Sequence, residues 1–248
     1  MAIFIFIAVH WYSSLFFQTF FHHRYAAHQM FDMSKSWEKV FFVFSFIAQG
    51  SSYLSPYAYG ILHRMHHAFA DTENDPHSPK YDKNLFAMMW RTKVFYSDIF
   101  HGRVEVEKQF KEGVPKWLSF ENFAKSWTVR FVWITFYTGF YFLFATEWWM
   151  YLFLPMHFIM GPLHGAVINW FAHKYGYTNF ELGDTSKNLL PFDFLMLGES
   201  YHNNHHKFSH SANFGYRWFE FDPIYPIIGL FDKLKIIQLK AYNCRPRA

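Results

Sequence analysis

Long stretches that are almost free of charge constrain this chain of 248 residues more than any other feature. Residues 2–21 and 40–62 contain no Asp, Glu, Lys or Arg, and residues 131–172 contain only Glu147. A helix that crosses a bilayer needs roughly 20 mostly apolar residues, because every backbone N–H and C=O must be paired within the segment. The pattern predicts an all-α integral membrane protein.

The third stretch is too long for a single crossing. It is interrupted at residues 145–149, where the adjacent Trp148 and Trp149 suit a turn at the membrane interface. We therefore expect a hairpin of spans at about 128–146 and 148–172, preceded by a first span at about 2–21.

The stretch at 40–62 is less suited to a crossing, because it contains residues such as Gln49, Gly50 and Pro56. All 23 Lys and Arg residues lie either at 24–130 or after residue 173, and basic loops stay on the cytosolic side. One span and one hairpin place both basic regions there only if residues 40–62 form an interfacial or re-entrant segment. We expect a multi-pass protein whose working face is cytosolic, in the inner membrane of a bacterium or the endoplasmic reticulum of a eukaryote.

A cleaved signal peptide is the alternative for residues 2–21, but the segment lacks a basic start and a small-residue cleavage site.

No repeat or linker divides the chain, so we expect one domain over residues 1–248. Residues 222–240 predict an amphipathic helix on the cytosolic face. The single Cys244 excludes an internal disulfide, and the modest net charge of +4, spread along loops, disfavours nucleic acid as a partner.

The 16 histidines are concentrated in clusters at 23–28, 63–67 and 202–206. In the second and third clusters they occupy the first, fourth and fifth positions. On an α-helix these positions span an arc of about 100°, and the two adjacent histidines point to its opposite edges. This spacing favours ligands that are divided between two metals.

The first cluster pairs His23 with His28, which would lie about 140° apart on an α-helix and share a face only if the helix ends there. Asn169 and His173, four residues apart, share a face at the end of the hairpin. The asparagine could bind a metal directly or hold a metal-bound water.

All these clusters follow apolar stretches and should meet at the cytosolic rim. The candidate ligands are His23, His28, His63, His66, His67, His173, His202, His205 and His206, with Asn169. Nine imidazoles exceed the four ligands of a structural zinc site and indicate two metals with open positions, which suits dioxygen chemistry. Imidazole binds iron, zinc, copper and nickel, so the ligands alone do not name the metal. The roles of His22 and His77 stay open.

Carboxylates lie close to the clusters in sequence and could accept hydrogen bonds from the imidazole N–H groups. They are Asp71, Glu73, Asp75, Asp184 and Glu199. For Glu73, an ordinary surface charge is an equal alternative.

In these motifs the chain resembles the membrane fatty acyl desaturases, particularly their acyl-CoA delta-9 branch. That branch carries His-Arg with four residues between its first two histidines, His-Arg-x-His-His, and Gly-Glu-x-aromatic-His-Asn-x-His-His, as found here at 23–28, 63–67 and 198–206. The likeness extends to Tyr-Gly-Tyr after His173, Asp-Pro-His at 75–77 and Tyr-Arg-Trp at 216–218, and so covers nearly the whole chain.

The resemblance implies an oxygen-dependent desaturase that introduces a cis double bond, at delta-9, into a saturated long-chain acyl-CoA or another carrier-bound acyl chain. It implies two iron ions held by the nine histidines, a water on Asn169, dioxygen as co-substrate and a kinked acyl tunnel. Electrons would come from a separate ferredoxin or b-type cytochrome. The cations Arg64, Lys80, Lys83, Arg91 and Lys93 could neutralise a coenzyme A phosphate, although a solvated basic loop explains them equally well.

The family usually has two spans before the first motif, whereas this chain has room for one. Its N-terminus should therefore lie across the membrane, with a tunnel wall that is thinner or completed by a second chain in a homodimer. A related di-iron hydroxylase or ketolase is the alternative enzyme. A metal transporter or sensor would instead place its ligands near the middle of the membrane.

Overall fold

The computed structural model describes residues 1–240, and nearly all of their regular structure is helical. Cys244 lies outside the described residues. Besides the elements introduced below, the helices are α4 (Leu85–His101), α5 (Lys108–Lys111), α6 (Leu118–Ala124) and α10 (His202–Lys207).

The N-terminal helix is the longest apolar element. It begins as α1 (Ala2–Phe17) and continues without a break as a π-helix (Gln18–Ala27), which gives 26 residues that are long and apolar enough to cross a membrane. A bent pair of helices, Trp148–Phe158 and Met160–Phe171, passes the same test if it is taken as one span. The full multi-pass topology remains a prediction.

Residues 40–62 form two helices with a break between them. Helix α2 (Lys35–Gln49) ends at Gly50, which has a φ of +54°, and a 3-10 turn (Gly50–Ser52) leads to α3 (Pro56–Phe69). A side chain at residue 50 would collide with the hydroxyl of Tyr137, so this turn requires glycine. Residues 40–62 therefore do not form one continuous helix, and their re-entrant path stays a prediction.

The expected hairpin has a straight first arm and a bent second arm. Helix α7 (Trp127–Phe144) is capped by Ser126. The chain then forms a 3-10 helix (Trp148–Phe153), α8 (Leu154–Phe158), α9 (Met160–Ala166) and a second π-helix (Val167–Phe171), with a 78° bend after Phe158. The second arm is thus not a continuous helix, because Pro162 cannot donate the hydrogen bond that would continue α8 into α9.

The C-terminal prediction was too long. Helix α11 covers Ile224–Lys233 only, and Lys235, at a φ of +57°, turns the chain into β2 (Ile237–Leu239). This strand pairs antiparallel with β1 (Phe31–Met33). The lysines of 222–240 therefore do not lie on one continuous helix.

The main buried cluster joins the first π-helix to α2, both strands and α11. Its largest members are Phe20, Phe21, Phe31, Phe42, Tyr201 and Phe214. In contrast, α7 exposes apolar side chains, with Phe131 at 60%, Phe142 at 80% and Leu143 at 73% exposure. Such a surface suits contact with lipid rather than water.

Candidate metal centre

Two adjacent groups of buried imidazoles lie at the end of the apolar helices. One group consists of His23, His28, His63, His67 and His205. The other consists of His66, His173, His202 and His206. Within each group, one ligand atom from every residue lies within 4.8 Å of the others. The nine histidines singled out by their spacing are thus brought together, and the structure divides them five and four.

The first π-helix explains how His23 and His28 reach the same group. The backbone N–H of His28 donates to the carbonyl of His23 at 3.1 Å, an i→i+5 hydrogen bond. This wider turn brings residues five apart onto one side, which an α-helix does not.

Helices α3 and α10 each supply ligands to both groups. His66 and His67 are neighbours on α3, yet they belong to different groups, and the same holds for His205 and His206 on α10. The groups are adjacent, since the rings of His67 and His206 have centroids 4.5 Å apart. The expected division of adjacent histidines is found on both helices.

His173 follows the second π-helix, so the bent arm of the hairpin delivers it to the four-residue group. Asn169 lies within that π-helix and lines the cavity beside the groups. Its side chain makes no hydrogen bond within residues 1–240, so it is free to bind a ligand there.

The imidazoles point inward through Nε2. In the larger group, neighbouring Nε2 atoms lie 2.9–3.0 Å apart in the pairs His23–His205, His28–His63, His63–His67 and His67–His205. In the smaller group the separations are 2.9 Å for His173–His202 and 3.3 Å for His66–His206. Lone pairs that converge at such distances repel one another unless a cation or a proton lies between them.

Burial favours the metal-binding form in six of these rings. It lowers the pKa of six of them well below the ordinary value, and the neighbouring imidazoles lower it further: these are His28, His63, His67, His202, His205 and His206. Neutral imidazole is the form that ligates a cation. Two groups of converging imidazole nitrogens therefore fit two metal ions, and the nitrogen donor set fits iron among the transition metals.

Carboxylates lie behind several imidazoles, on the Nδ1 side. Glu199 lies 2.6 Å from His23, Asp75 3.0 Å from His66, and Asp184 2.9 Å from His206. Burial opposes ionisation of Asp75, but its hydrogen bond to His66 and the nearby imidazoles lower its pKa to about 2. These contacts fix the rings with Nε2 facing inward.

Asp71 acts on His173 partly through a neighbour. Its Oδ2 atom lies 3.8 Å from Nδ1 of His173, and Thr185, 3.2 Å from that nitrogen, donates to Asp71 at 2.7 Å. Glu73 is exposed and contacts no imidazole within the described residues. The surface-charge alternative therefore fits Glu73.

The two uncertain histidines lie in different surroundings. The ring nitrogens of His22 face the backbone carbonyls of Phe17 and Leu54, at 3.1 and 2.8 Å, and the residue belongs to neither imidazole group, so it does not compete with His23. His77 is 1% exposed, stacks on His66 at 4.2 Å, and has no hydrogen bond from either ring nitrogen. His77 is thus a tenth imidazole that contacts the smaller group through His66 but belongs to neither group.

A cavity of about 930 Å³ lies beside the two groups. His23, His63, His202 and Asn169 form part of its wall, and residues of α4, α7 and α9 form much of the rest. Aromatic and aliphatic side chains dominate the wall, as expected for a site that holds an apolar chain.

Of the five candidate phosphate ligands, only Lys93 lines the cavity. Arg64 donates instead to the backbone carbonyls of Ala26, Ala27 and Glu112, and so ties α3 to its neighbours. The role of these cations as head-group ligands remains a prediction.

Sequence reasoning missed the residues that shape the loops around the centre. Gly198 has a φ of +91°, and a Cβ there would lie 2.6 Å from Asp222 Oδ1. Arg24, fully buried, donates to Asp222 at 2.8 Å and lies 3.9 Å from the ring of Phe214. Asp193 accepts three backbone N–H bonds and holds the turn before His202. Of these residues, only Gly198 and Arg24 lie within the histidine motifs, so only they could have been singled out from the sequence.

Comparison with known proteins identifies the family. The sequence profile of the fatty acid desaturases matches residues 1–234. The delta-9 desaturase-like 5 protein of Arabidopsis thaliana is 30% identical over 87% of this chain and 69% of its own length. The acyl-CoA 5-desaturase AL21 of Anemone leveillei is 28% identical over 86% and 63%. The sn-1 stearoyl-lipid 9-desaturase of Anabaena variabilis is 28% identical over 88% and 78%.

A profile match over nearly the whole chain, together with buried histidine groups that fit metal binding, agrees with the resemblance inferred from the motifs. The chain belongs to the fatty acid desaturase family of membrane-associated oxidoreductases.

Proposed function

We propose that this protein introduces a cis double bond, at the delta-9 position, into a saturated long-chain acyl group, using dioxygen and two iron ions. The observation that carries the proposal is the pair of imidazole groups in the wall of a long, mostly apolar cavity. A chain in the cavity would pass directly beside both groups.

The nine histidines would hold the two irons through Nε2, and Asn169 would hold a bound water. When bound, the irons supply the activation of dioxygen that removal of hydrogen from an unactivated chain requires. In the balanced reaction, two hydrogens leave the chain, and with two electrons and two protons from a donor they reduce dioxygen to two waters. A ferredoxin or b-type cytochrome on the cytosolic face would supply the electrons.

The protein's own side chains would position the substrate and exclude water. Leu15, Leu62 and Ile168 line the cavity near the imidazoles, so the reacting carbons would lie in apolar surroundings. Glu199, Asp75 and Asp184 would keep the imidazoles oriented. The motif resemblance favours a coenzyme A thioester as carrier, whereas the similar proteins are named for both acyl-CoA and lipid-bound chains.

Lipid profiling tests the proposal. In a host that lacks its own desaturase, the wild-type protein should yield new monounsaturated acids, and His67→Ala or His205→Ala should yield none. An exposed side chain close to the second cluster in sequence offers a control, since Glu73→Ala should keep the activity. An alcohol or ketone in place of the alkene would instead favour the related hydroxylase or ketolase, and unchanged activity in either ligand variant would contradict the ligand assignment.

A further inference from the structure

The proposed function gives no task to His77, which follows Pro76 in the loop after α3. Its side chain is 1% exposed and lines the cavity, and neither ring nitrogen has a hydrogen-bond partner within residues 1–240. A neutral imidazole carries one N–H donor and one lone pair, so either tautomer leaves a buried donor unpaired. Such a donor costs free energy, which indicates that a molecule in the cavity accepts a hydrogen bond from it.

The ring of His77 lies where the two imidazole groups meet. It stacks on His66, with ring centres 4.2 Å apart, and its centre is 6.5 Å from that of His63. His66 belongs to the smaller group and His63 to the larger one, and both His63 and His77 line the cavity. A small molecule in the cavity beside both groups would therefore lie next to the ring of His77.

The loop fixes this ring without using its nitrogens. The backbone N–H of His77 donates to Asp75 Oδ1 at 3.0 Å. Arg91 on α4 donates to the backbone carbonyls of Asp75 at 2.5 Å and of Ser78 at 3.2 Å, and Pro76 restricts the backbone between them. The ring is thus held in place while both of its nitrogens stay free to bind.

A third metal ion explains His77 less well. Potential ligand atoms of His66, Asp75 and His77 do lie within 4.8 Å of one another. However, the carboxylate of Asp75 already accepts from His66 Nδ1 and from the backbone N–H groups of Asp71 and His77. The other nitrogen of His66 faces His206 in the smaller group. His77 would then be the single free ligand among these three, whereas a structural zinc site needs four.

We propose that His77 donates a hydrogen bond to dioxygen, or to a small anion in its place, where the two imidazole groups meet. The inference rests on the proposed desaturase function and adds a catalytic residue to its site. Dioxygen gains negative charge as it is reduced, and a donor that is already in position stabilises that charge within a buried site. The nine candidate ligands cannot supply this donor, because their Nε2 atoms would be occupied by the metals.

Azide binding tests the proposal without turnover. Azide is titrated into the iron-loaded, full-length protein in detergent, and its affinity and infrared stretching frequency are measured in H₂O and D₂O. We expect His77→Phe, which retains the stacked ring, to weaken azide binding at least tenfold and to abolish the shift between H₂O and D₂O. His77→Gln keeps an N–H donor and should recover part of the affinity. Exposed Glu73 provides the control, and Glu73→Ala should match the wild type.

Iron content and thermal melting are measured on every variant, and each should hold two irons per chain. Unchanged azide affinity in both His77 variants would overturn the inference. A fall to about one iron per chain in His77→Phe would also overturn it, because His77 would then be a metal ligand. A wild-type protein that holds no iron would contradict the proposed function itself.

Kinetics with dioxygen provide the second arm. His77→Phe should raise the KM for dioxygen at least fivefold and leave the KM for the acyl substrate unchanged, and His77→Gln should have a smaller effect. A rise in the KM for the acyl substrate alone would mean that His77 contacts the chain and would overturn the inference. Absence of desaturation by the wild type would instead contradict the function on which the inference rests.

Discussion

At the scale of single residues, neighbours in sequence serve different metal positions. His66 and His67 belong to different imidazole groups, as do His205 and His206. On a helix, adjacent side chains diverge by about 100°, so each pair straddles the space between the two groups. Removal of one member of a pair should therefore affect one proposed iron site and leave the other intact.

We expect His66→Ala and His67→Ala each to lower the iron content from two to about one per chain and to abolish desaturation. The loss should come from the four-residue group in the first variant and from the five-residue group in the second, so their Mössbauer spectra should retain different iron sites. Glu73→Ala serves as the control, because this exposed side chain contacts no imidazole within the described residues and does not line the cavity. Full iron content in either ligand variant would contradict the division of ligands.

The buried pair of Arg24 and Asp222 belongs to the same scale. Both side chains are fully buried, and burial raises the pKa of Asp222 despite the charge of Arg24. Arg24→Met should destabilise the protein by about 3–5 kcal/mol, because it leaves the carboxylate buried without its partner. The double variant with Asp222→Asn should recover part of that loss. Thermal melting in detergent measures both, and equal stability of Arg24→Met and wild type would show that the pair is unimportant.

At the scale of elements, irregular helices bring the ligands together. The first π-helix aligns His23 with His28 through an i→i+5 hydrogen bond, and the second π-helix carries Asn169. Between them, α9 presents small residues to the cavity, with Gly161 and Gly165 in its wall. These glycines leave room for a chain beside the imidazoles.

Replacement of Gly165 should therefore change which chains are accepted. A Cβ at this position has no neighbour closer than Asn169 Nδ2 at 3.8 Å, so Leu can be built there but would project into the cavity. Gly165→Leu should lower activity on an 18-carbon chain at least tenfold and favour shorter chains, as measured by chromatography of the products. Gly139→Leu, on the exposed side of α7, is the matched control. An unchanged chain-length profile would mean that the acyl group does not pass α9.

At the scale of the whole molecule, both imidazole groups lie at one end of the apolar helices. That arrangement agrees with the topology expected from the distribution of Lys and Arg, in which the ligands meet on the cytosolic side. The structure alone contains one long apolar helix and one bent pair, so the number of crossings requires its own test.

Cysteine labelling supplies that test. In a chain with Cys244 replaced by Ser, Lys207→Cys and Lys111→Cys should react with a membrane-impermeant maleimide only from the cytosolic side. Glu147→Cys, in the turn of the hairpin, should react only from the opposite side. Labelling of positions 147 and 207 from the same side would exclude the predicted hairpin.

Sequence alone determined which histidines come together and the helical class. The spacing of histidines follows from helix geometry, a local property, so all nine candidate ligands could be named and found together. The division of adjacent histidines between two groups was predictable for the same reason. Apolar length likewise predicted the helices, although not the bend at Ile159 or the early end of α11.

Only the tertiary structure decided the π-helical alignment of His23 and His28, the burial of Arg24 on Asp222, and which residues line the cavity. The expected phosphate ligands were chosen for their nearness in sequence to the second cluster, and Arg64 is instead occupied by backbone carbonyls. Lys125 lies far from that cluster along the chain, yet its Nζ atom is 3.3 Å from the ring centre of Phe100 on α4. Contacts between distant segments depend on how whole helices pack, and a local pattern of residues does not predict that packing.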